Sequence, residues 1–181
     1  TILIASPETT REPYHFKELM NKYRPTFMDA APSLWQTLID VGWNGNQEMT
    51  AISGGEVLSF ALGRELLQKT KVLWNAYGPT EVTVGCTMKL IEDEEDILSI
   101  GKPLKHADMF VLDKNNHLVP VGIDGELCVG GNTLSNGYLN LPELTKERFV
   151  ANPYKPSSKM YKTGDVVRWL ENGDIRFIGR K

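Results

Sequence analysis

Cysteine is scarce in this 181-residue sequence, and the two present, Cys86 and Cys128, have no second ligand at metal-binding spacing. Each lies in an otherwise apolar, strand-like stretch and reads as a small buried hydrophobe. No apolar run approaches the ~18 residues a membrane span needs. The opening residues, TILIASPETT, lack a signal peptide's basic start and cleavage site, so the expected setting is reducing and cytoplasmic, with no membrane partner. There is no excess of positive charge: 20 Lys and Arg are scattered among 23 Asp and Glu, a formal net charge of -3, which argues against a nucleic-acid partner. Internal repeats and low-complexity segments are absent. The three histidines, His15, His106 and His117, pair with no nucleophile and read as structural.

Against those absences, 41% hydrophobic and 24% charged residues describe a globular chain able to bury one sizeable core. The pattern begins with a strand-like run at residues 2–5, a Pro/Thr loop and a helical period through Phe16, Leu19, Met20 and Tyr23. Strand-then-helix recurs as TFMDA with PSLWQTLIDV and as MTAIS with FALGRELLQ, and KVLWNA follows; Pro32 suits a first helical turn. This alternation predicts an α/β fold, a partial doubly wound and mostly parallel sheet, over residues 1–92. The acidic stretch IEDEED then connects to a β-rich subdomain at 93–181 with one helix, PELTKERF. Within it MFVLD and LVPVG flank KNNH as a hairpin, GELCVGG is a strand, and YKTGDVVRWL and DIRFIGR flank a tight turn at Glu171-Asn172-Gly173. The first residue is Thr and the last segment, FIGRK, has no cap, so both ends read as edges of a larger protein.

Two short motifs carry chemistry. Gly54-Gly55-Glu56 follows the strand MTAIS at its carboxyl end, where open α/β sheets present ligand sites; it reads either as such a site or as a plain Gly-Gly turn. Asn75-Ala76-Tyr77-Gly78-Pro79-Thr80-Glu81 packs an amide, a ring, a hydroxyl and a carboxylate into seven residues. Tyr77 offers a face to a purine, Asn75 a base-edge hydrogen bond, Thr80 a donor to phosphate and Glu81 a ligand for Mg²⁺. The same residues read equally as a Gly-Pro turn in which Thr80 and Glu81 cap a helix.

GGE, NAYGPTE, GELCVGG with NGYLN, the LPELTKERF helix and YKTGD ending at GR, in this order, resemble the adenylate-forming enzymes over nearly the whole chain. The proline of NAYGPTE, together with LPELTKERF and YKTGDVVRWLENGDI, is most similar to the amino-acid adenylation domains of nonribosomal peptide synthetases. The resemblance implies an ATP-dependent ligase that turns an amino acid into aminoacyl-AMP and pyrophosphate. It implies Tyr77 stacked on adenine, with Asn75 at the base's amino edge and Ala76 and Gly78 beside them. The Gly54-Gly55-Glu56 backbone is then the other wall of the adenine slot. Thr80 and Glu81 become the catalytic residues, on phosphate and on Mg²⁺. Asp165 accepts from both ribose hydroxyls, Phe177 packs against the nucleoside, and Arg180 reaches ribose or phosphate. An ionised carboxylate is acceptor-only, which suits a diol.

Motif by motif, the resemblance puts Ser33, Ile52, Gly54, Ala76, Val84 and Gly85 around the substrate side chain. Their small or apolar character favours a large hydrophobic or aromatic amino acid. Gly130, Gly131, Gly137 and Tyr138 fall in a family motif whose glycines shape turns and are given no catalytic role. The segments Asn132–Asn136 and Lys105–Asp108 depart from the family's pattern away from the nucleotide positions. The resemblance also implies a phosphopantetheine-bearing peptidyl carrier domain as partner, the pantetheine not being held by this chain. A phosphate-cradling loop and an amine-binding aspartate are implied upstream, and a catalytic lysine downstream, so little adenylation activity is expected of the chain alone. The alternatives are an acyl-CoA or aryl-acid ligase of the same superfamily, and a non-catalytic substrate-binding or structural module.

Overall fold

The computed structural model describes residues 1–181 and divides them into two compact units, residues 1–75 with 90–97, and residues 76–89 with 98–181. The first unit is α/β. Helices α1 (Pro7–Arg11), α2 (Pro13–Tyr23) and α3 (Pro32–Asp40) each begin on proline, which costs nothing where the first-turn amide has no acceptor. Ser59 caps α4 (Phe60–Lys69) by accepting from the amide of Leu62. Between the helices run β1 (Phe27–Ala30) and β2 (Asn46–Gly54), paired in parallel with Asp29 opposite Ile52, and β3 (Thr70–Tyr77) lies next in order beyond β2.

The core of this unit is built on Trp35, Leu38, Trp43, Met49, Leu66, Leu73 and Ile97. The Trp35 indole fixes α3 to β2 by donating to the Ile52 carbonyl at 3.0 Å, and its ring lies 6.0 Å from that of Trp43. Along β2, Met49, Ala51 and Ser53 are buried while Thr50, Ile52 and Gly54 are half-buried, so the two-residue period puts Ile52 and Gly54 on one face.

The second unit is antiparallel throughout its pairings. It comprises β4 (Thr87–Ile91, shared with the first unit), β5 (Ser99–Pro103), β6 (Ala107–Leu112), β7 (Asp124–Gly131), helix α5 (Pro142–Arg148), β8 (Phe149–Ala151), β9 (Lys159–Trp169) and β10 (Ile175–Arg180). The strand order is β4-β5-β10-β9-β7-β6, with β8 on β9. Val82, Ile100, Val111, Leu127, Val129, Phe149, Val167 and Ile175 form its core. The expected turn at Glu171-Asn172-Gly173 joins β9 to β10: Leu170 donates to the Asp174 carbonyl and Gly173 sits at φ 81°, the left-handed residue a three-residue hairpin loop requires.

The α/β class with a β-rich part after it is as the pattern predicts, and four details differ. Residues 1–6 form no strand; Ile2 and Ile4 are both 88% exposed, because a β-branched run is a strand only when a neighbour pairs with it. The loop that follows contains a helical turn, α1, capped by Ser6. LVPVG is not a strand. The turn itself forms, with Asp113 Oδ1 accepting from the amides of Asn115 and His117, but pairing stops after a single bridge, Leu112 to Leu118, flanked by the Val119 amide donating to the Val111 carbonyl. β6 pairs instead with β7, from Ala107 opposite Gly131 to Leu112 opposite Glu126. Contacts also divide the chain differently from a cut after residue 92, since Ile97 packs in the first core whereas Val82 and Cys86 pack in the second. No helix is long and apolar enough to cross a membrane.

Gly101 and Gly122 separate two costs of adding a methyl group. Both have positive φ, 79° and 86°, but a Cβ on Gly101 would run into the Met88 carbonyl and reach the Lys89 amide at 2.7 Å, while one on Gly122 meets nothing within 4 Å. Gly122→Ala should cost the left-handed penalty alone, about 1–2 kcal/mol. Gly101→Ala should cost a further ~1–3 kcal/mol from collision with backbone. Urea unfolding midpoints of the two variants check this, and equal losses would contradict it.

Candidate nucleotide and metal site

The Tyr161–Asp165 segment is a distortion of β9. Between the pairs Glu126–Val166 and Cys128–Lys162, β9 advances four residues while β7 advances two, so the surplus bulges out at Thr163-Gly164-Asp165. Gly164 makes this possible at φ 78°. Side chains satisfy the backbone groups freed by the bulge. Glu126 Oε1 accepts from the Gly164 amide (3.1 Å), Thr163 Oγ1 accepts from the Asp165 amide (3.0 Å), and the same hydroxyl donates to the Leu127 carbonyl (2.8 Å). The bulge re-aims Asp165, whose carboxylate accepts from the Tyr77 hydroxyl at 2.6 Å through Oδ2 and has Arg180 Nε 3.6 Å from Oδ1. Burial first, and then the hydrogen bond to Asp165 and its charge, push the Tyr77 phenol far above its ordinary value. Tyr77 therefore stays a neutral donor.

Beyond Tyr77 the chain turns at Gly78, where a Cβ would stand 2.6 Å from the Gly85 Cα, so only glycine fits. After Pro79, Thr80–Val82 form a single 3₁₀ turn with Thr80 exposed and Val82 buried. Glu81 Oε1 accepts from the Tyr138 hydroxyl at 2.6 Å, and the Tyr161 hydroxyl stands 3.4 Å from that of Tyr138. Partial burial tends to raise the Glu81 pKa. The phenols of Tyr138 and Tyr161, a backbone hydrogen bond and the charge of Arg180 outweigh that and hold it below the usual carboxylate value. Glu81 is thus an ionised carboxylate. No three His, Cys, Asp or Glu side chains gather into a metal cage.

Thr83 and Val84 follow with φ of 60° and 68°, two β-branched residues in the left-handed region. Val84 is 86% exposed, so its side chain gains little burial in return for that strain. The Thr83 hydroxyl donates to the Thr133 carbonyl at 2.8 Å and the Ser135 amide to the Glu81 carbonyl at 2.8 Å, which ties residues 133–135 to this turn.

Within the second unit, then, Tyr77, Gly78, Thr80, Glu81, Asp165 and Arg180 come together. Phe177 is half-buried against the core of that unit, at the edge of a register shift before Gly179. Ala76, Val84 and Gly85 belong to the same unit, with open space at Gly85. The first unit holds the remaining expected residues. Asn75 is buried, and its amide donates to the Ile97 carbonyl at 3.4 Å. Gly55 has φ 85° with open space around it. Ser33, expected to line a pocket, donates through its amide (3.0 Å) and hydroxyl (2.9 Å) to the carboxylate of Glu56, which thereby caps α3. Cys86 and Cys128 are fully buried and burial pushes both thiols up to about 12, so neither is a nucleophile.

Sequence reasoning assigned no role to Tyr138, Tyr161, Thr163 or Glu126. The available signal was two phenols inside recognised motifs, NGYLN and MYKTGD, but their partners are distant in sequence. A groove of about 740 Å³ in the first unit is lined by Ile2, Phe16, Leu19, Met20, Phe27 and their neighbours; it is apolar and contains none of these residues.

With this geometry in place, the comparisons agree on class. The model of the AMP-binding enzyme family matches residues 1–139, and the chain belongs to that family. It is similar to tyrocidine synthase 3 of Brevibacillus parabrevis (39% identical) and gramicidin S synthase 2 of Aneurinibacillus migulanus (38%), in each case over 99% of this chain. It spans only 3% and 4% of their lengths. Among solved structures it resembles holo-AB3403, a four-domain nonribosomal peptide synthetase bound to AMP and glycine, with TM-score 0.91 and 36% identity over 98% of this chain and 14% of that one. It also resembles holo-PA1221, a protein with adenylation and PCP domains bound to a vinylsulfonamide inhibitor (TM-score 0.80, 30% identity, 94% of this chain and 31% of that one).

The strained turn gives a direct test. Asparagine tolerates the left-handed region better than a β-branched residue, so Val84→Asn should stabilise the chain by about 0.5–1 kcal/mol, read from its urea midpoint. A loss of stability would show that Val84 is held by packing.

Proposed function

We propose that the chain supplies the nucleotide-holding part of an amino-acid-activating ligase of nonribosomal peptide synthesis. The observation that carries this reading is the bulge-mounted Asp165, bonded to Tyr77 and flanked by Arg180. An ionised carboxylate has about four acceptor positions, so the Tyr77 bond leaves capacity for both hydroxyls of a ribose. Tyr77 presents its ring to the base, and Arg180 offsets the negative charge of Asp165 and of a phosphate. Thr80 donates to phosphate oxygen, and Glu81 holds the Mg²⁺ whose charge neutralises ATP. The overall reaction is attack of an amino-acid carboxylate on the α-phosphorus with departure of pyrophosphate, a step that depends on positioning and charge stabilisation.

The residue-by-residue resemblance supports further roles: Gly54, Gly55, Glu56, Asn75, Ala76, Gly78 and Phe177 toward the nucleoside, and Ser33, Ile52, Gly54, Ala76, Val84 and Gly85 toward a large hydrophobic or aromatic side chain. Ile52 and Gly54 share one face of β2, as common use requires. Ser33 enters that role only by leaving Glu56. A phosphopantetheine-bearing carrier domain is the proposed acceptor of the activated amino acid, supported by the adenylation-plus-PCP make-up of a structural relative.

Calorimetry of the chain with AMP tests the core of the proposal. Asp165→Ala should weaken AMP binding by about 10–100-fold, the worth of charge-assisted hydrogen bonds. Unchanged affinity, or no AMP binding by the unaltered chain, would overturn it. For the side-chain role, Gly54→Leu in an intact adenylating enzyme should lower pyrophosphate exchange with phenylalanine more than with alanine; the reverse order would refute the assignment.

A further inference from the structure

Resting on the assignment of Glu81 as the metal carboxylate, we infer that Tyr138 is a positioning residue for the metal, a phenol clamp that fixes the Glu81 carboxylate so that Oε2 is presented to the cation. Glu81 rides on a single 3₁₀ turn of three residues, which by itself gives a side chain on its surface little orientation. The 2.6 Å bond from the Tyr138 hydroxyl to Oε1 supplies that orientation, and the Tyr161 hydroxyl, 3.4 Å from that of Tyr138, backs it. Tyr161 is 4% exposed and belongs to the core, so the clamp is anchored in packed structure.

Tyr138 is itself held from several sides. Its ring packs edge-on against Phe149 at 5.8 Å, and its amide donates to Thr145 Oγ1 of α5 at 2.9 Å. The preceding Gly137 has φ 121°, and a Cβ there would strike the Thr145 side chain. Ser135 completes the attachment by bonding the Glu81 carbonyl. The segment before α5, with α5 behind it, therefore acts as an outer wall for Glu81, joined to its carboxylate by the Tyr138 hydroxyl and to its backbone carbonyl by the Ser135 amide. A hydrogen-bonded outer partner of this kind sets the direction of a metal ligand and typically governs 10–100-fold in affinity.

The test uses Mn²⁺ as the probe in place of Mg²⁺, with binding to the ATP-loaded chain read by electron paramagnetic resonance and AMP affinity without metal read by calorimetry. Tyr138→Phe should leave AMP affinity within about twofold and weaken Mn²⁺ about tenfold. Glu81→Gln should weaken Mn²⁺ at least as much, and the double variant should be no weaker than Glu81→Gln alone, because the phenol acts only through the carboxylate. If Glu81→Gln weakens Mn²⁺ and Tyr138→Phe does not, or if the two losses add, the clamp is refuted while Glu81 remains the ligand. If Glu81→Gln has no effect, both assignments fall. Phenylalanine retains the ring against Phe149; should AMP affinity nevertheless fall, Tyr161→Phe removes the supporting hydroxyl alone and carries the same criterion.

Discussion

The hydrogen bond between Tyr77 and Asp165 is the constraint on which the site depends. It joins the end of β3 to the bulge of β9, residues 88 positions apart, and it is short because one partner is a neutral phenol and the other an ionised carboxylate. The bulge exists only because Gly164 accepts a left-handed conformation and because Glu126 and Thr163 take up the backbone groups it frees. Regular pairing across Thr163-Gly164-Asp165 would return these residues to the ladder with β7 and remove the local bend that aims Asp165 at Tyr77.

The same chemistry appears a second time at Glu81, which accepts from Tyr138 as Asp165 accepts from Tyr77. In both places a phenol kept neutral by burial and by the neighbouring negative charge donates to a carboxylate. Neutral donors order a carboxylate without cancelling its charge, unlike a lysine or arginine in contact. Charge remains available for a cation at Glu81, while Arg180 at 3.6 Å only partly balances Asp165 and is itself 74% exposed. The second unit thus orders two carboxylates by the same means, Asp165 through Tyr77 and Glu81 through Tyr138.

Much of this was legible in the sequence, and for physical reasons. Strand and helix periods with prolines at helix starts located β1, α3, β2, α4 and β3, and the Asn-Gly pair located the β9–β10 turn. Tyr77 and Glu81 drew notice because an amide, a ring, a hydroxyl and a carboxylate share seven residues, and Asp165 because its motif resembles the family's. What was not legible is pairing. Residues 2–5 carry strand propensity without a strand to join, and LVPVG looks like the second arm of a hairpin although it makes only the bridge from Leu112 to Leu118. The partners of Tyr138 and Ser33 were not legible for the same reason: each hydroxyl reaches an acceptor distant in sequence, Glu81 and Glu56 being 57 and 23 residues away. The contact-based division of the chain is likewise a long-range property, which no composition shift near residue 92 encodes.

The most direct test of the account is a map of amide chemical-shift changes when AMP is added to the isotopically labelled chain. The account predicts that, within the second unit, the changes concentrate at residues 77–81, at the bulge 163–165 and at Arg180. Changes confined to the apolar groove beside Phe16 and Met20, with Asp165 and its neighbours unmoved, would contradict it.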